Sequence, residues 1–112
     1  TGGRTEAPTY RQIGSGDTGH AEAVEVVYDP AVVSYDELLA VFWANIDPTV
    51  ADRQFCDIGS QYRSAIFVHD AAQREAAEAG KARWQADARF AGKTIHTEIV
   101  DAAPFWLAED YH

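Results

Sequence analysis

The sequence contains two capped helices and three short segments whose side chains alternate between two faces. The order in which helices and segments follow one another restricts the fold more than any other feature of the sequence. Ser34, followed by Glu37, predicts the capped start of a helix that runs from Tyr35 to Asn45. Asp70 caps a second, longer helix. The segments with alternating side chains, which predict strands, are Glu22 to Tyr28, Tyr62 to Val68 and Thr94 to Val100.

The order of these elements predicts the fold class. Strand, helix, strand, helix and strand within 112 residues indicate a single α+β domain that spans residues 1–112. We expect a two-layer α/β sandwich, in which the helices pack on one mixed sheet and long loops form the functional site. Because three strands are few for a stable sheet, an exposed sheet edge and a missing strand are expected as well.

Charge and composition exclude several classes of partner. Asp and Glu number 18 against 9 Lys and Arg, which gives a net charge of −9, and the arginines are scattered singly. Binding to nucleic acid or to an anionic membrane surface is therefore not expected. No apolar run is long enough to cross a bilayer. The single cysteine, Cys56, excludes an internal disulfide and favours a reducing, cytoplasmic location.

Two aperiodic loops, residues 1–20 and 47–61, carry or border most of the reactive side chains. Glu22 begins a segment that otherwise carries valines, so partial desolvation is expected to favour its neutral, proton-donating form. Together with the phenols of Tyr10 and Tyr62, a neutral acid can donate hydrogen bonds to a substrate oxygen. The residues alone leave open a second interpretation, in which these side chains only satisfy backbone groups and fill the core.

Cys56 lies in the same loop as the acidic residues Asp52 and Asp57. A reactive cysteine needs a positive or dipolar neighbourhood that holds the thiolate, and this local charge does not provide one. Both an inert thiol and a functional one remain open on the sequence.

A metal site is the other chemistry to consider. The candidate ligands are His20, His96 and His112, with Glu22 or Glu98. Their spacing matches no metal motif, and no second thiol accompanies Cys56. No metal is therefore expected.

Several sequence blocks resemble the peptide methionine sulfoxide reductases of type A, which act on the S epimer of methionine sulfoxide. The resemblance runs in order along the whole chain, and two of its blocks, Gly-His-Ala-Glu22 and Gly-Ser-Gln-Tyr-Arg-Ser64, are specific to that family. The other matching blocks are Pro8-Thr-Tyr10, Val27-Tyr-Asp-Pro30, Phe42-Trp43, Asp47-Pro-Thr49, Asp52-Arg-Gln54, Thr97-Glu-Ile99 and Ala108-Glu-Asp-Tyr-His112.

The resemblance implies both a mechanism and a set of site residues. In that family a cysteine thiolate attacks the sulfoxide sulfur while a neutral glutamic acid protonates the oxygen, and Glu22 matches this acid. Tyr10 and Tyr62 match the two phenols that bind the oxygen, and Asp57 matches a buried acid that completes the site. A second thiol and then thioredoxin, or another dithiol, regenerate the enzyme, so no metal or organic cofactor is implied.

The sequence also departs from the family pattern. The family's nucleophile lies in a Gly-Cys-Phe-Trp motif, which none of the 112 residues provides. We expect the strand that carries this motif to lie outside the chain, which would account for the missing strand as well. Two other hypotheses remain: a module that binds the sulfoxide without reducing it, and a relocated nucleophile at Cys56. Cys56 is also a candidate resolving thiol.

Overall fold

The computed structural model describes residues 1–111, and their helices and strands alternate along the chain. Three α-helices, two 3₁₀ turns and two pairs of short strands make up the regular structure of residues 1–111. In chain order the elements are α1 (Tyr10–Gly14), α2 (Tyr35–Asn45), β1 (Arg53–Gln54), β2 (Asp57–Ile58), a 3₁₀ turn (Ser60–Tyr62), β3 (Ala65–Val68), α3 (Ala71–Ala86), a second 3₁₀ turn (Ala88–Phe90) and β4 (Glu98–Asp101).

The two long helices begin where their capping residues predict. The hydroxyl of Ser34 accepts the N–H of Glu37 at 3.1 Å, and α2 then covers the predicted residues 35–45. The carboxylate of Glu37 accepts the hydroxyl of Ser34 itself, so only half of the predicted capping box forms. At α3, a carboxylate oxygen of Asp70 accepts the N–H of Gln73 at 2.8 Å. Each cap satisfies a backbone donor that the first turn leaves unpaired.

The core lies where α2 and α3 pack together over β3. Trp43 of α2 is 5% exposed and stacks on Trp84 of α3, with ring centroids 5.9 Å apart. The helices approach closely because α3 presents the small buried residues Ala77 and Gly80 at this interface. The buried core consists of Leu39, Trp43, Ile66, Val68, Ala77 and Ile95.

Gly80 offers a test of this packing. A methyl group at this position would meet Nε1 of Trp43 at 3.4 Å, an ordinary contact distance, and Gly80 lies inside a helix. Gly80→Ala is expected to raise the free energy of unfolding by about 0.5–1 kcal/mol, because alanine loses less backbone conformational entropy than glycine when the helix folds. The matched control, Ala79→Gly on the exposed face, is expected to lower it by about the same amount. Urea denaturation followed by circular dichroism measures both; destabilisation by Gly80→Ala would contradict the packing described.

The α+β class predicted from the sequence is confirmed, but the strands form two separate sheets. β3 and β4 pair in parallel, with Ala65 opposite Glu98. β1 and β2 form an antiparallel hairpin with Gln54 opposite Asp57. The parallel and antiparallel pairs therefore do not combine into the single mixed sheet that the sequence predicts.

The predicted strand from Glu22 to Tyr28 is wrong for this structure. The segment has no regular structure, and its valines are exposed, with Val24 at 87% and Val27 at 93%. A strand needs a hydrogen-bonded neighbour, and among residues 1–111 no backbone bond ties positions 23–28 to another segment. Residues 22–28 therefore have the alternating pattern of a strand, but the described residues do not provide the neighbouring strand with which they would pair.

Other boundaries differ from the prediction for local reasons. β4 starts later than the predicted Thr94, because the N–H groups of Ile95 and His96 bond to the Gln85 side chain and to the carbonyl of Pro48 instead of to β3. The predicted loop at 1–20 contains the short helix α1.

The longest helix, α3, has 16 residues, and none of the helices within residues 1–111 is long and apolar enough to cross a membrane.

Candidate active site

Tyr62 occupies the centre of the candidate site, at the end of the first 3₁₀ turn. Its N–H donates to the carbonyl of Gly59 at 3.0 Å. Gly59 has a φ of 145°, and a Cβ there would lie only 2.3 Å from Oε1 of Gln61. Only glycine allows this backbone shape and this close approach. The turn that presents the Tyr62 ring is therefore specified by Gly59.

Glu22 lies beside this turn. Its N–H donates to the carbonyl of Gln61 at 2.9 Å, one residue before Tyr62. The preceding Ala21 is 3% exposed, so the chain enters Glu22 from a fixed, buried position. The carboxyl group thus projects near Tyr62 from a segment 40 residues earlier in the sequence.

Tyr10 reaches the site from α1. The helix is started by Thr9, whose hydroxyl accepts the N–H of Gln12 in a reciprocal capping box. The side-chain amide of Gln61 donates to the carbonyl of Gly14 at 3.4 Å, which connects the end of α1 to the turn that carries Tyr62. The N–H of Tyr10 donates to the Glu109 carboxylate, so the C-terminal region also holds this helix.

Asp57 comes from the β1–β2 hairpin. It is the first residue of β2, directly after the two-residue turn of Phe55 and Cys56. The N–H of Gly59 donates to the carbonyl of Asp52 at 2.8 Å, so the hairpin is joined to the Tyr62 turn through the backbone.

Electrostatic coupling shows which of these side chains share a site. The pKa of Tyr62 is raised above its ordinary value of 10.0, and the charge of Glu22 is the largest cause, ahead of burial of the ring. The carboxylate of Asp57 and the phenol of Tyr10 raise the same pKa more weakly. Such effects act only over short distances in water. Glu22, Asp57 and Tyr10 therefore lie close enough to Tyr62 to affect its pKa.

The titration of Tyr62 tests this arrangement directly. Because the Glu22 charge disfavours the phenolate, Glu22→Gln is expected to lower the pKa of Tyr62 toward its ordinary value. Glu25→Gln, which removes an exposed charge from the same segment, is expected to leave it unchanged. The tyrosine ring signals in nuclear magnetic resonance report the midpoint. An equal shift in both variants would mean that only the overall charge, and not proximity to Glu22, affects Tyr62.

Two features of the site differ from the sequence expectation. Glu22 is exposed, because the strand that was expected to shield it does not form in these residues. Asp57, which the resemblance matched to a buried acid, is exposed too. The four groups thus lie near one another, but both carboxyl groups are on the surface of the described residues.

Arg63 is a positioning residue that the sequence reasoning did not single out. Its guanidinium donates to the carbonyls of Ser60 at 2.8 Å and Gly19 at 3.1 Å, and to the Glu98 carboxylate at 3.2 Å. These bonds join the Tyr62 turn, the loop before Glu22 and β4. The only sign of this role in the sequence was that Arg63 lies within the family-like block from Gly59 to Ser64.

His20 is the second positioning residue, and its ring is not available to a metal. It is 3% exposed. Nδ1 accepts the N–H of Gly3 at 3.0 Å, so Nε2 carries the proton and donates to the carbonyl of Thr5. His96 is exposed, and His112 lies outside the described residues. Within residues 1–111, no three potential ligands cluster around a metal position.

Cys56 is exposed at the tip of the hairpin. Phe55, its neighbour in the turn, adopts a φ of 50° and is also exposed, at 66%. The thiol is adjacent to Asp57 in sequence but belongs to the turn and not to the strand.

The chain resembles known proteins over its whole length. A family model described as peptide methionine sulfoxide reductase matches residues 1–112. The chain is 54% identical over 114 residues to the peptide methionine sulfoxide reductase MsrA of Cronobacter sakazakii, covering 100% of this chain and 54% of that protein. It is 50% identical over 112 residues to the protein of the same name from Methanococcoides burtonii, covering 100% of this chain and 72% of that protein.

Solved structures give the same result. Methionine sulfoxide reductase A of Corynebacterium diphtheriae superposes with a TM-score of 0.81 at 40% identity, covering 98% of this chain and 56% of that one. Reduced Mxr1 from Saccharomyces cerevisiae has a TM-score of 0.81 at 36% identity, covering 92% and 55%. The chain spans about half the length of the bacterial relatives that it matches. It belongs to the peptide methionine sulfoxide reductase family.

Proposed function

We propose that these 112 residues form the oxygen-binding part of a peptide-methionine (S)-S-oxide reductase, whose nucleophilic cysteine lies outside them. The observation that carries the proposal is the coupling of Tyr62 to Glu22, Asp57 and Tyr10. Two phenols and two carboxyl groups from separate segments have no shared structural task in the core. Together they can donate hydrogen bonds and a proton to a single sulfoxide oxygen.

Each group has a role in the proposed reaction. The phenols of Tyr10 and Tyr62 donate hydrogen bonds to the sulfoxide oxygen, and Glu22 supplies a proton to it. A cysteine thiolate attacks the sulfur, which is reduced by two electrons to the thioether. The oxygen passes to the cysteine, which becomes a sulfenic acid. Asp57 lies near Tyr62, and its charge raises the pKa of that phenol and so favours its protonated, donating form.

The catalytic cycle closes by thiol exchange. A second thiol attacks the sulfenic sulfur, forms a disulfide and releases the oxygen as water. Cys56 is a candidate for this resolving thiol, because it is exposed and lies next to Asp57. Thioredoxin or another dithiol then reduces the disulfide, and neither a metal nor an organic cofactor takes part. The substrates are oxidised methionine in proteins and free methionine sulfoxide, and we place this repair reaction in the cytoplasm.

The test uses an extended chain, in which the 112 residues are joined at Thr1 to a segment from a bacterial relative that carries Gly-Cys-Phe-Trp. With dithiothreitol as the reductant, it is expected to reduce the S epimer of methionine sulfoxide and to leave the R epimer intact. Replacing the cysteine of the added motif by serine should abolish reduction. Equal reduction of both epimers, or activity that survives this serine variant, would refute the proposal.

A further inference from the structure

The short helix α1 carries Tyr10 into the candidate site, but its own residues do little to fix where it lies. It has five residues, and none of them is buried. A helix of this length is not stable by itself in water, because its first turn orders several residues for one hydrogen bond. The capping box between Thr9 and Gln12 is local, so it stabilises the helix without anchoring it to the rest of the molecule. The position of α1 therefore depends on bonds to other segments.

The backbone just before α1 is strained. Ala7, two residues before the cap at Thr9, has a φ of 41°, in the left-handed region that residues with a Cβ seldom adopt. Such a conformation costs free energy and persists only where the surrounding structure maintains it. A bond that holds α1 from outside is thus needed to keep this loop in its observed shape.

Hydrogen bonds from two distant segments reach the ends of α1. At its last residue, the carbonyl of Gly14 accepts the side-chain amide of Gln61 at 3.4 Å, which is long for a hydrogen bond. At its first residue, the N–H of Tyr10 donates to the carboxylate of Glu109 at 2.9 Å. The second bond is the stronger one, because its acceptor is charged and a negative charge is favourable at the start of a helix. It also holds the residue whose phenol enters the site.

The segment that presents Glu109 is anchored to the core. Directly after β4, the N–H of Ala102 donates to the carbonyl of Val68 at 2.8 Å. The hydroxyl of Thr1 donates to the carbonyl of Pro104 at 2.7 Å. Glu109 follows five residues later and is half-buried. The carboxylate therefore reaches α1 from a segment whose start is fixed on the sheet.

We propose that Glu109 is a positioning residue for the reduction: its carboxylate holds α1 through the N–H of Tyr10 and thereby places the Tyr10 phenol near Tyr62. Glu109 acts through Tyr10 and does not touch the reacting atoms. The proposal rests on the proposed function, since the place of Tyr10 matters only if its phenol binds the sulfoxide oxygen. The hold on α1 does not depend on that chemistry, so the two can be tested separately.

Amide hydrogen exchange on the 112 residues tests the hold on α1 without any chemistry. Glu109→Ala is expected to speed exchange at Tyr10 and Ile13 by about tenfold or more, because the first turn loses its anchor. Glu109→Gln keeps an oxygen that accepts the N–H, and its exchange is expected to stay within about threefold of the parent. Asp110→Ala removes the neighbouring exposed charge and is expected to leave exchange at both amides unchanged.

The titration of Tyr62 reports where the Tyr10 phenol lies, because that phenol is one of the groups that raise the pKa of Tyr62. Glu109→Ala and Glu109→Gln remove the same charge, but only alanine releases α1. The pKa of Tyr62 is therefore expected to be lower in Glu109→Ala than in Glu109→Gln. In a Tyr10→Phe background, which lacks the reporting phenol, the two variants are expected to give the same pKa.

A double-mutant cycle in the extended chain tests the consequence for catalysis. Tyr10→Phe removes one donor to the sulfoxide oxygen and is expected to lower kcat/KM by about tenfold. Glu109→Ala is expected to lower it by about three- to tenfold, and Glu109→Gln to recover most of this loss. Because Glu109 acts through Tyr10, the double variant is expected to lie within about twofold of Tyr10→Phe alone.

Three results would overturn the proposal. The first is unchanged exchange at Tyr10 and Ile13 in Glu109→Ala. The second is exchange as fast in Asp110→Ala as in Glu109→Ala, which would make the charge of the segment, and not the bond, responsible. The third is a double variant in which the two losses multiply, because Glu109 would then support the fold independently of Tyr10.

Two controls keep these results interpretable. Glu109 is only half-buried, so Glu109→Ala is expected to fold, and circular dichroism checks this. An extended chain that is inactive without any of these substitutions would contradict the proposed function and not the hold on α1. In that case the exchange rates at Tyr10 and Ile13 decide alone whether Glu109 positions the helix.

Discussion

Glu22→Gln in the extended chain is expected to lower kcat for reduction of methionine sulfoxide by about 10²–10⁴-fold. Glutamine keeps the size and a hydrogen-bond donor but cannot release a proton, and general acid catalysis contributes an effect of this size. The change should fall mainly on kcat, since the phenols of Tyr10 and Tyr62 still bind the oxygen. Steady-state kinetics with dithiothreitol in excess measures it.

Glu25→Gln is the matched control for this experiment. It removes the same charge from the same exposed segment, three residues further along, and it is not among the groups that shift the pKa of Tyr62. Its kcat is expected to stay within about twofold of the parent, because a distant surface charge contributes little to a barrier. A Glu22→Gln variant as active as Glu25→Gln would remove Glu22 from the reaction.

Trp43→Ala is expected to lower the free energy of unfolding by about 3–5 kcal/mol. Trp43 is 5% exposed and fills the contact between the helices, with Phe42 and Trp84 at centroid distances of 5.2 and 5.9 Å. Small domains have only about 5–15 kcal/mol in total, so this variant should be largely unfolded at modest urea concentrations. Urea denaturation followed by circular dichroism provides the measurement.

Two further variants distinguish the loss of core packing at Trp43 from the loss of a tryptophan at any position. Trp106→Ala, at a side chain 38% exposed, is expected to cost about 1 kcal/mol or less. Trp43→Phe retains an aromatic ring and deletes Nε1, a buried donor that has no hydrogen-bond partner within residues 1–111, so its cost should be well below that of alanine. Similar losses for Trp43→Ala and Trp106→Ala would contradict the core described.

The helices could be predicted from the sequence because their signals are local. Ser34 caps α2 and Asp70 caps α3 through bonds to residues three positions away. The contact between the helices depends on two small buried residues of α3, Ala77 and Gly80, of which Gly80 lies against Trp43. Such features lie within one or two turns of chain, and no distant segment has to be known for them to form.

The strands were predicted less well because a strand depends on its neighbour. Glu22 to Tyr28 has the correct pattern, but among the described residues it has no partner for its backbone. β3 and β4 pair over four residues each, fewer than their alternating patterns suggested. The sequence pattern shows which face of a segment is apolar, whereas its pairing as a strand depends on which other segment lies beside it.

The candidate site shows a similar division. The identities of Tyr10, Glu22, Asp57 and Tyr62 came from the sequence, and their adjacency follows from the turn at Gly59 and the bond from Glu22 to Gln61. The exposure of Glu22 could not be read from the sequence, because the strand expected from Glu22 to Tyr28 does not form among the described residues. The roles of the four groups remain predictions that the kinetic variants test.

The most direct test of the central claim compares sulfoxide reduction by the 112 residues alone with reduction by the extended chain. With dithiothreitol and the S epimer, the 112 residues should show no turnover above the uncatalysed rate, and the extended chain should turn over. Turnover by the 112 residues alone that is lost in Cys56→Ser would contradict the account, because it would make Cys56 the nucleophile. Binding of the sulfoxide without turnover in either chain would contradict it as well, and would identify a binding module.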